Sequence, residues 1–291
     1  MKYLILDTNI LIDMLVYREK GNKSESYSLL IKLIDYGKVK LIVPPIIQTE
    51  ILSHIDNEIN KIGTNIQNIK RSIENIYWIN HADKLKEFNT IFHPVKTGIS
   101  SLNEKFKCEK DSYIIESHEI VNRIFEHKNT IIIDEPSEII NNVLRRKLHK
   151  NKPFDKKEDA FADAIIIESV TNIDKLIDFS PEDSLFLITR NYIDFSSENN
   201  KDDLHEDIQS NLDDKGLHNI FYRRLFAKTL KEDFQEEVQE AEIINELELE
   251  QSKEEEFYVI EYYADKVKSD RELANFKLES VSIGIIGDLL L

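Results

Sequence analysis

The chain opens Tyr3-Leu4-Ile5-Leu6-Asp7-Thr8-Asn9, an apolar run that delivers a carboxylate, a hydroxyl and an amide in succession. Tyr3 to Leu6 read as a buried strand. A parallel strand ending in such side chains presents them at the carboxyl edge of its sheet, a setting suited to the hard oxygen ligation of Mg²⁺ or Mn²⁺. Three further acids sit in apolar surroundings. Glu50 is the single acid of Ile46-Ile47-Gln48-Thr49-Glu50-Ile51-Leu52, and Pro44-Pro45 before it place it within the first two turns of a helix. Asp163 is set into the run Asp159 to Glu168, and Asp194 follows the strand Ser184 to Ile188 within Thr189-Arg190-Asn191-Tyr192-Ile193-Asp194-Phe195. An acid in a sequence that otherwise reads as core is costly to bury unless it is paired or bound to a metal.

A carboxylate-held metal pair supplies what phosphodiester hydrolysis needs: an activated water, in-line geometry and neutralised charge on the phosphate oxygens. On this reading Asp7, Glu50 and Asp163 ligate metal directly or through water. Thr8, Asn9, Thr189 and Asn191 orient water or the phosphate. Each acid singly has an ordinary explanation: Asp7 capping a helix, Glu50 pairing with a lysine, Asp163 favoured by a helix dipole, Asp194 closing a turn. Jointly, their order and context build one pocket at a sheet edge. Asp159, four residues before Asp163, reads as a capping or supporting acid on the same helix face; Glu168 has a weaker claim than Asp163, and Asp13 reads as a helix-surface acid.

Asp7-Thr8-Asn9 after the first strand, Glu50 in the next helix, Asp163-Ala164 opening an apolar helix, and Thr189-Arg190-Asn191 with Asp194-Phe195 together resemble the PIN domain family. The resemblance covers about residues 1 to 60 and 150 to 196. It implies an α/β fold with a doubly wound parallel sheet flanked by helices. It also implies a cluster of Asp7, Glu50, Asp163 and Asp194 that binds one or two Mg²⁺ or Mn²⁺ ions and hydrolyses phosphodiesters, usually in RNA. Many members carry Asp where this chain has Asn191, so the resemblance leaves open whether Asn191, Asp194 or neither completes the site as its fourth corner. By analogy a toxin-type or defence-type endoribonuclease is expected, restrained by an inhibitory or regulatory protein. The rivals are a DNA nuclease and an inactive scaffold that binds protein.

Charge weighs against a nucleic-acid enzyme, since 38 basic side chains face 55 acidic ones, a balance of −17. Much of the deficit is local. Lys231 to Glu256 holds 12 acids and 2 lysines, a balance of −10, which leaves −7 for the rest. Arg145, Arg146 and Lys147, followed by His149, Lys150, Lys152, Lys156 and Lys157, form a basic run leading into the Asp163 helix, and are expected to grip substrate phosphates. Their ordinary alternative is a solvated helix face.

The single cysteine, Cys108, excludes an intramolecular disulfide and fits a reducing cytoplasm. The eight histidines lack zinc spacing, and seven glycines in the whole chain leave no phosphate-cradling loop. No apolar run is long enough to span a membrane and no secretory signal precedes the first strand, so a cytoplasmic protein is expected.

Periodicity supplies the elements that position the acids. It predicts a helix over 24–37, a strand over 39–43 and a long helix over 46–79, broken near Gly63, whose isoleucines 47 to 76 recur three or four apart as core. Further helices over 80–150 break at His93-Pro94 and Glu135-Pro136. They form a helical insertion at about 60–150, expected to cap the pocket's rim. Leu204, Ile208 and Leu212 mark a short helix, and 221–230 reads as a helix docking its aromatics on the core, or as an aromatic-basic cluster for stacking on bases. The expected organisation is a nuclease-type domain over 1–230, an acidic helix or linker over 231–256, and a β-rich appendage over 257–291. That last segment must pair with another sheet or chain, or the sequence ends inside a small β module, because two strands alone are marginal.

Overall fold

Strands β1 (Lys2–Leu6), β2 (Val39–Val43), β3 (Thr130–Ile132), β4 (Ser184–Ile188) and β5 (Ile220–Arg223) form one sheet in the order β3-β2-β1-β4-β5. Every pairing is parallel. The structure is a computed structural model that describes residues 1–15, 25–76, 86–155 and 159–253. Lys156 and Lys157 and the β-rich segment expected over 257–291 lie outside the described residues. The chain divides into two compact units, Met1–Val238 and Gln239–Leu291. The acidic stretch is helical over 235–253.

The sheet follows from its strand sequences. Leu4, Ile5, Leu41, Ile42, Leu185, Leu187 and Ile188 are all essentially inaccessible, because strands covered by helices on both faces must be apolar at consecutive positions. β1 lies at the centre and the winding reverses between β1 and β4. In such sheets the crevice beyond the carboxyl ends of the two strands at the reversal is where ligands bind.

Helices α1 (Thr8–Leu15), α2 (Glu25–Asp35) and α3 (Pro45–Glu74) are joined downstream by α4 (Lys86–Phe125), α5 (Ser137–His149), α6 (Phe161–Thr171) and α7 (Ile173–Leu176). After β4 come α8 (Tyr192–Phe195), α9 (Glu206–Asp214) and, beyond β5, α10 (Phe226–Glu232). Among the described residues no helix is long and apolar enough to cross a membrane.

Several sequence expectations need correction. α3 runs unbroken through Gly63, where an added Cβ would meet the Phe106 ring at 2.7 Å; the glycine lets α4 approach α3 closely rather than ending the helix. The isoleucine stripe is core only in part. Ile47, Ile51, Ile55 and Ile66 are buried, whereas Ile62 and Ile69 are half exposed, since α3 and α4 pack along each other and leave their outer faces to solvent. Pro94 lies inside α4, while Glu135-Pro136 does precede α5, with Pro136 at its N-cap. The expected insertion over 60–150 is also narrower: β3 pairs with β2 and α5 packs on α6, so both belong to the sheet domain. Finally, the helix expected over 221–230 is the strand β5 followed by α10. Ile220 and Tyr222 point inward while Phe221 and Arg223 are half-buried, the alternation of an edge strand.

Candidate active site

β1 and β4 end side by side, and their continuation carries most of the polar side chains. The Asp7 N–H donates to the Ile188 carbonyl at 3.0 Å, extending the ladder by one residue. The Asp7 carbonyl then accepts from Ile10 and Leu11, so Asp7 also begins α1. Its carboxylate accepts from the Thr189 hydroxyl at 2.6 Å and from the Asn9 amide at 3.3 Å. The same Thr189 oxygen accepts from the Asn191 N–H at 2.9 Å. The Asn191 side-chain amide donates to Asp163 Oδ1 at 3.1 Å and to Asp194 Oδ2 at 2.7 Å. On the other flank the Thr8 hydroxyl donates to Glu50 Oε2 at 2.9 Å. Two hydrogen-bonded sets, Glu50 with Thr8 and Asp7 with Thr189, Asn191, Asp163 and Asp194, are thus joined by the peptide bond between Asp7 and Thr8. Elements far apart in sequence meet at the crevice where the sheet reverses.

A family model described as PIN domain matches residues 4–195, which spans all these residues. The chain belongs to the PIN domain family. PIN domains are generally nucleases and typically use divalent metals. No curated protein and no solved structure matches the chain.

Within this PIN domain the carboxylates are unequally accessible. Asp7 is buried, and desolvation raises its pKa; hydrogen bonds from Thr189 and Asn9 and from the backbone of Thr8 and Asn9 pull it down without cancelling the effect. Its hydrogen-bond donors are all neutral. Glu50 and Asp163 are half-buried and reach the surface, whereas Asp194 is buried within α8 behind Asn191. Among the described residues no three Asp, Glu, His or Cys side chains converge as a ready-made metal cage. The hydroxyls of Thr8 and Thr189 and the Asn191 amide instead bond the oxygens of the acids.

The chemistry of the donor set still fits a hard divalent cation. All its ligands are oxygens, and a buried carboxylate with neutral donors is the partner such a cation compensates best. Asp7, Glu50 and Asp163 would hold it, with Asn191 bonded to Asp163 and to Asp194 beside them.

The basic run fares differently from its expected role. Arg146 is buried, ion-paired to Glu168 and donating to the Lys152 carbonyl at 3.2 Å. It binds α5 to α6 and is closed to substrate. Arg145 and Lys147 are exposed on α5, and the Lys147 ammonium lies 4.4 Å from the Phe161 ring centre. Lys152 is buried, paired with Asp155 at 2.8 Å and donating to the Ile193 carbonyl at 2.9 Å, so it anchors α8. Asp159 is exposed and precedes α6, which starts at Phe161, so it shares no helix face with Asp163.

Two arrangements were not foreseen. Asp13 pairs with Arg190, and Tyr192 lies between Arg224, 5.3 Å from its ring centre, and Lys201, 4.4 Å from it. The signal for Arg146 was in the sequence: it falls seven residues after Ile139 and three after Val143, both buried on the same stripe of α5.

Proposed function

We propose that this PIN domain is a metal-dependent endoribonuclease acting at Asp7, Glu50, Asp163, Asn191 and Asp194. The observation that carries the reading is that hydrogen bonds gather these residues at the carboxyl ends of β1 and β4, joining Asp7 to Asp163 and Asp194 through Thr189 and Asn191, and Glu50 to Thr8, the residue next to Asp7. When bound, Mg²⁺ or Mn²⁺ supplies the positive charge that neutralises the phosphate oxygens and favours ionisation of the attacking water. The rest is done by side chains. Asp7 provides the buried negative charge, and Thr189 holds its carboxylate in one orientation. Thr8 does the same for Glu50. Asn191, braced by the buried Asp194, aims its amide at Asp163 and holds that carboxylate in place.

An unselective ribonuclease must be restrained, so a toxin-type or defence-type setting with an inhibitory protein partner accompanies this reading. Oligomerisation through the C-terminal segment is part of the same proposal. The rival scaffold reading draws on the unclosed carboxylate cage and on Asn191.

The test is incubation of labelled single-stranded RNA, structured RNA and matched DNA with Mg²⁺, Mn²⁺ or EDTA. RNA cleavage only with metal is expected. Cleavage confined to DNA overturns the substrate, and no cleavage together with no metal-induced rise in melting temperature favours the scaffold. Thr189→Val keeps the shape of the side chain and removes its hydroxyl. It is expected to lower RNA cleavage about 10- to 100-fold, the usual effect of losing a group that orients a ligand; an unchanged rate would remove Thr189 from the mechanism.

A further inference from the structure

A cleft of about 560 Å³ lies between α1 and α10, walled by Ile10, Met14, Leu225 and Phe226. Its charged lining is Arg190, Arg224, Lys228 and Lys231 against Asp13 and Glu232. Four cations against two acids reverse the sign of a chain whose balance is −17. Arg190 joins the cleft to the carboxylates through the backbone, since it stands between Thr189, bonded to Asp7, and Asn191, bonded to Asp163.

We infer that this cleft is the path of the RNA backbone beside the reacting phosphate, with Arg190, Arg224, Lys228 and Lys231 as its phosphate contacts. The inference rests on the nuclease reading above and replaces Arg146 as the grip on substrate.

The existing partners of these cations are exchangeable. Arg190 pairs with Asp13 while itself half exposed, Arg224 pairs with the exposed Asp202 at 3.2 Å, and Lys228 reaches Glu232 only at 3.6 Å with both side chains in solvent. Exposed pairs of this kind contribute little, so a phosphate oxygen can replace the carboxylate. Lys228 and Lys231 are three apart on the exposed face of α10, while Thr229 and Leu230 between them are buried. Two cations on one helix face suit successive phosphates of one strand. Leu225, 56% exposed at the cleft wall, offers surface for a ribose or base. An acidic peptide would satisfy the charge alone. RNA is favoured because the cleft leads to residues suited to phosphodiester chemistry.

The test measures binding of fluorescent single-stranded RNA to the full chain carrying Asp7→Asn, over a range of salt concentrations. Adding K228E and K231E is expected to weaken binding at least about tenfold and to flatten the salt slope by about 1.4, the loss of two phosphate contacts on a single strand. K61E with K105E, exposed on the α3 and α4 pair, is expected to leave both unchanged. K228A with K231A, which makes no new repulsion, is expected to shift binding in the same direction by less. Unchanged binding in both lysine pairs on α10 overturns the cleft, and if the chain with Asp7 intact cuts RNA the nuclease reading survives. Loss confined to R145E with K147E also overturns it, in favour of the α5 face. Polyglutamate binding that depends on Lys228 and Lys231 while RNA binding does not would assign the cleft to a protein partner. If the Asp7→Asn chain does not bind RNA and the chain with Asp7 intact does not cut it, both readings are overturned.

Discussion

Replacing Asp7 by asparagine is expected to lower metal-dependent cleavage by roughly a thousandfold, about 4 kcal/mol in the barrier, and at the same time to stabilise the metal-free protein at neutral pH. Both effects come from one fact. Asp7 is buried at the junction of β1 and α1 with neutral hydrogen-bond donors, so its charge is useful to a bound cation and unfavourable without one. The pH dependence has a definite sign. Burial raises the folded-state pKa of Asp7 above its ordinary 3.8, so the native protein holds this proton more tightly than the unfolded chain does. The contribution is fully present below the ordinary value and is lost as pH rises through the folded one. The amide that replaces the carboxyl does not titrate. The stability advantage of the variant in EDTA should therefore be absent at the acidic end and grow as pH rises toward neutrality. Thermal melts of the two proteins across pH, paired with RNA cleavage assays, check this. A variant less stable than the parent at neutral pH in EDTA would show that Asp7 is held by more than neutral donors.

Glu168→Leu is expected to destabilise the fold by about 3–5 kcal/mol, because it leaves the Arg146 guanidinium buried without its counter-charge. Glu168 also accepts from the Asn172 amide at 3.1 Å, and Lys215 donates to the Asn172 side chain at 2.6 Å, so the loss spreads from α5 and α6 to the end of α9. The double variant Arg146→Met with Glu168→Leu removes both charges and is expected to recover most of the stability. Urea unfolding of the parent, the two single variants and the double variant gives the coupling directly. A loss below about 1 kcal/mol for Glu168→Leu would mean that water reaches the pair, the usual finding for exposed pairs. Because α6 carries Asp163 in its first turn, the single variant should also cleave more slowly at temperatures where it is still folded.

The central strands and the acids beside them were legible because both leave local signals. β1, β2 and β4 are apolar at consecutive positions, and each acid interrupts such a run or follows it. The edge strands were not legible. β3 has three residues and β5 four, too few for a period to show, and only pairing with β2 and β4 makes them strands. The reading of 221–230 as one helix failed there, although its aromatics do dock on the core: Tyr222 and Phe226 are buried, and the half-buried Phe221 stacks on Phe186 at 5.0 Å. The basic run misled for a related reason. Composition records that Arg145, Arg146 and Lys147 are cations but not which face of α5 each occupies, and a helix turns successive residues through about 100°. Arg146 turned inward to Glu168 while its neighbours remained in solvent.

By itself the sequence determined the α/β class, the polar ends of the first and fourth strands and the identity of Asp7, Glu50, Asp163, Asn191 and Asp194 as the residues to watch. Such features depend on a few neighbouring residues, and alternation or interruption of apolar character survives in any one chain. Tertiary structure alone decided that Thr189 holds Asp7, that Asn191 joins Asp163 to Asp194, and that Asp13 and Glu168 find Arg190 and Arg146. Each of these contacts spans 3 to 182 residues of chain, and all but the shortest form only when the fold brings distant segments together.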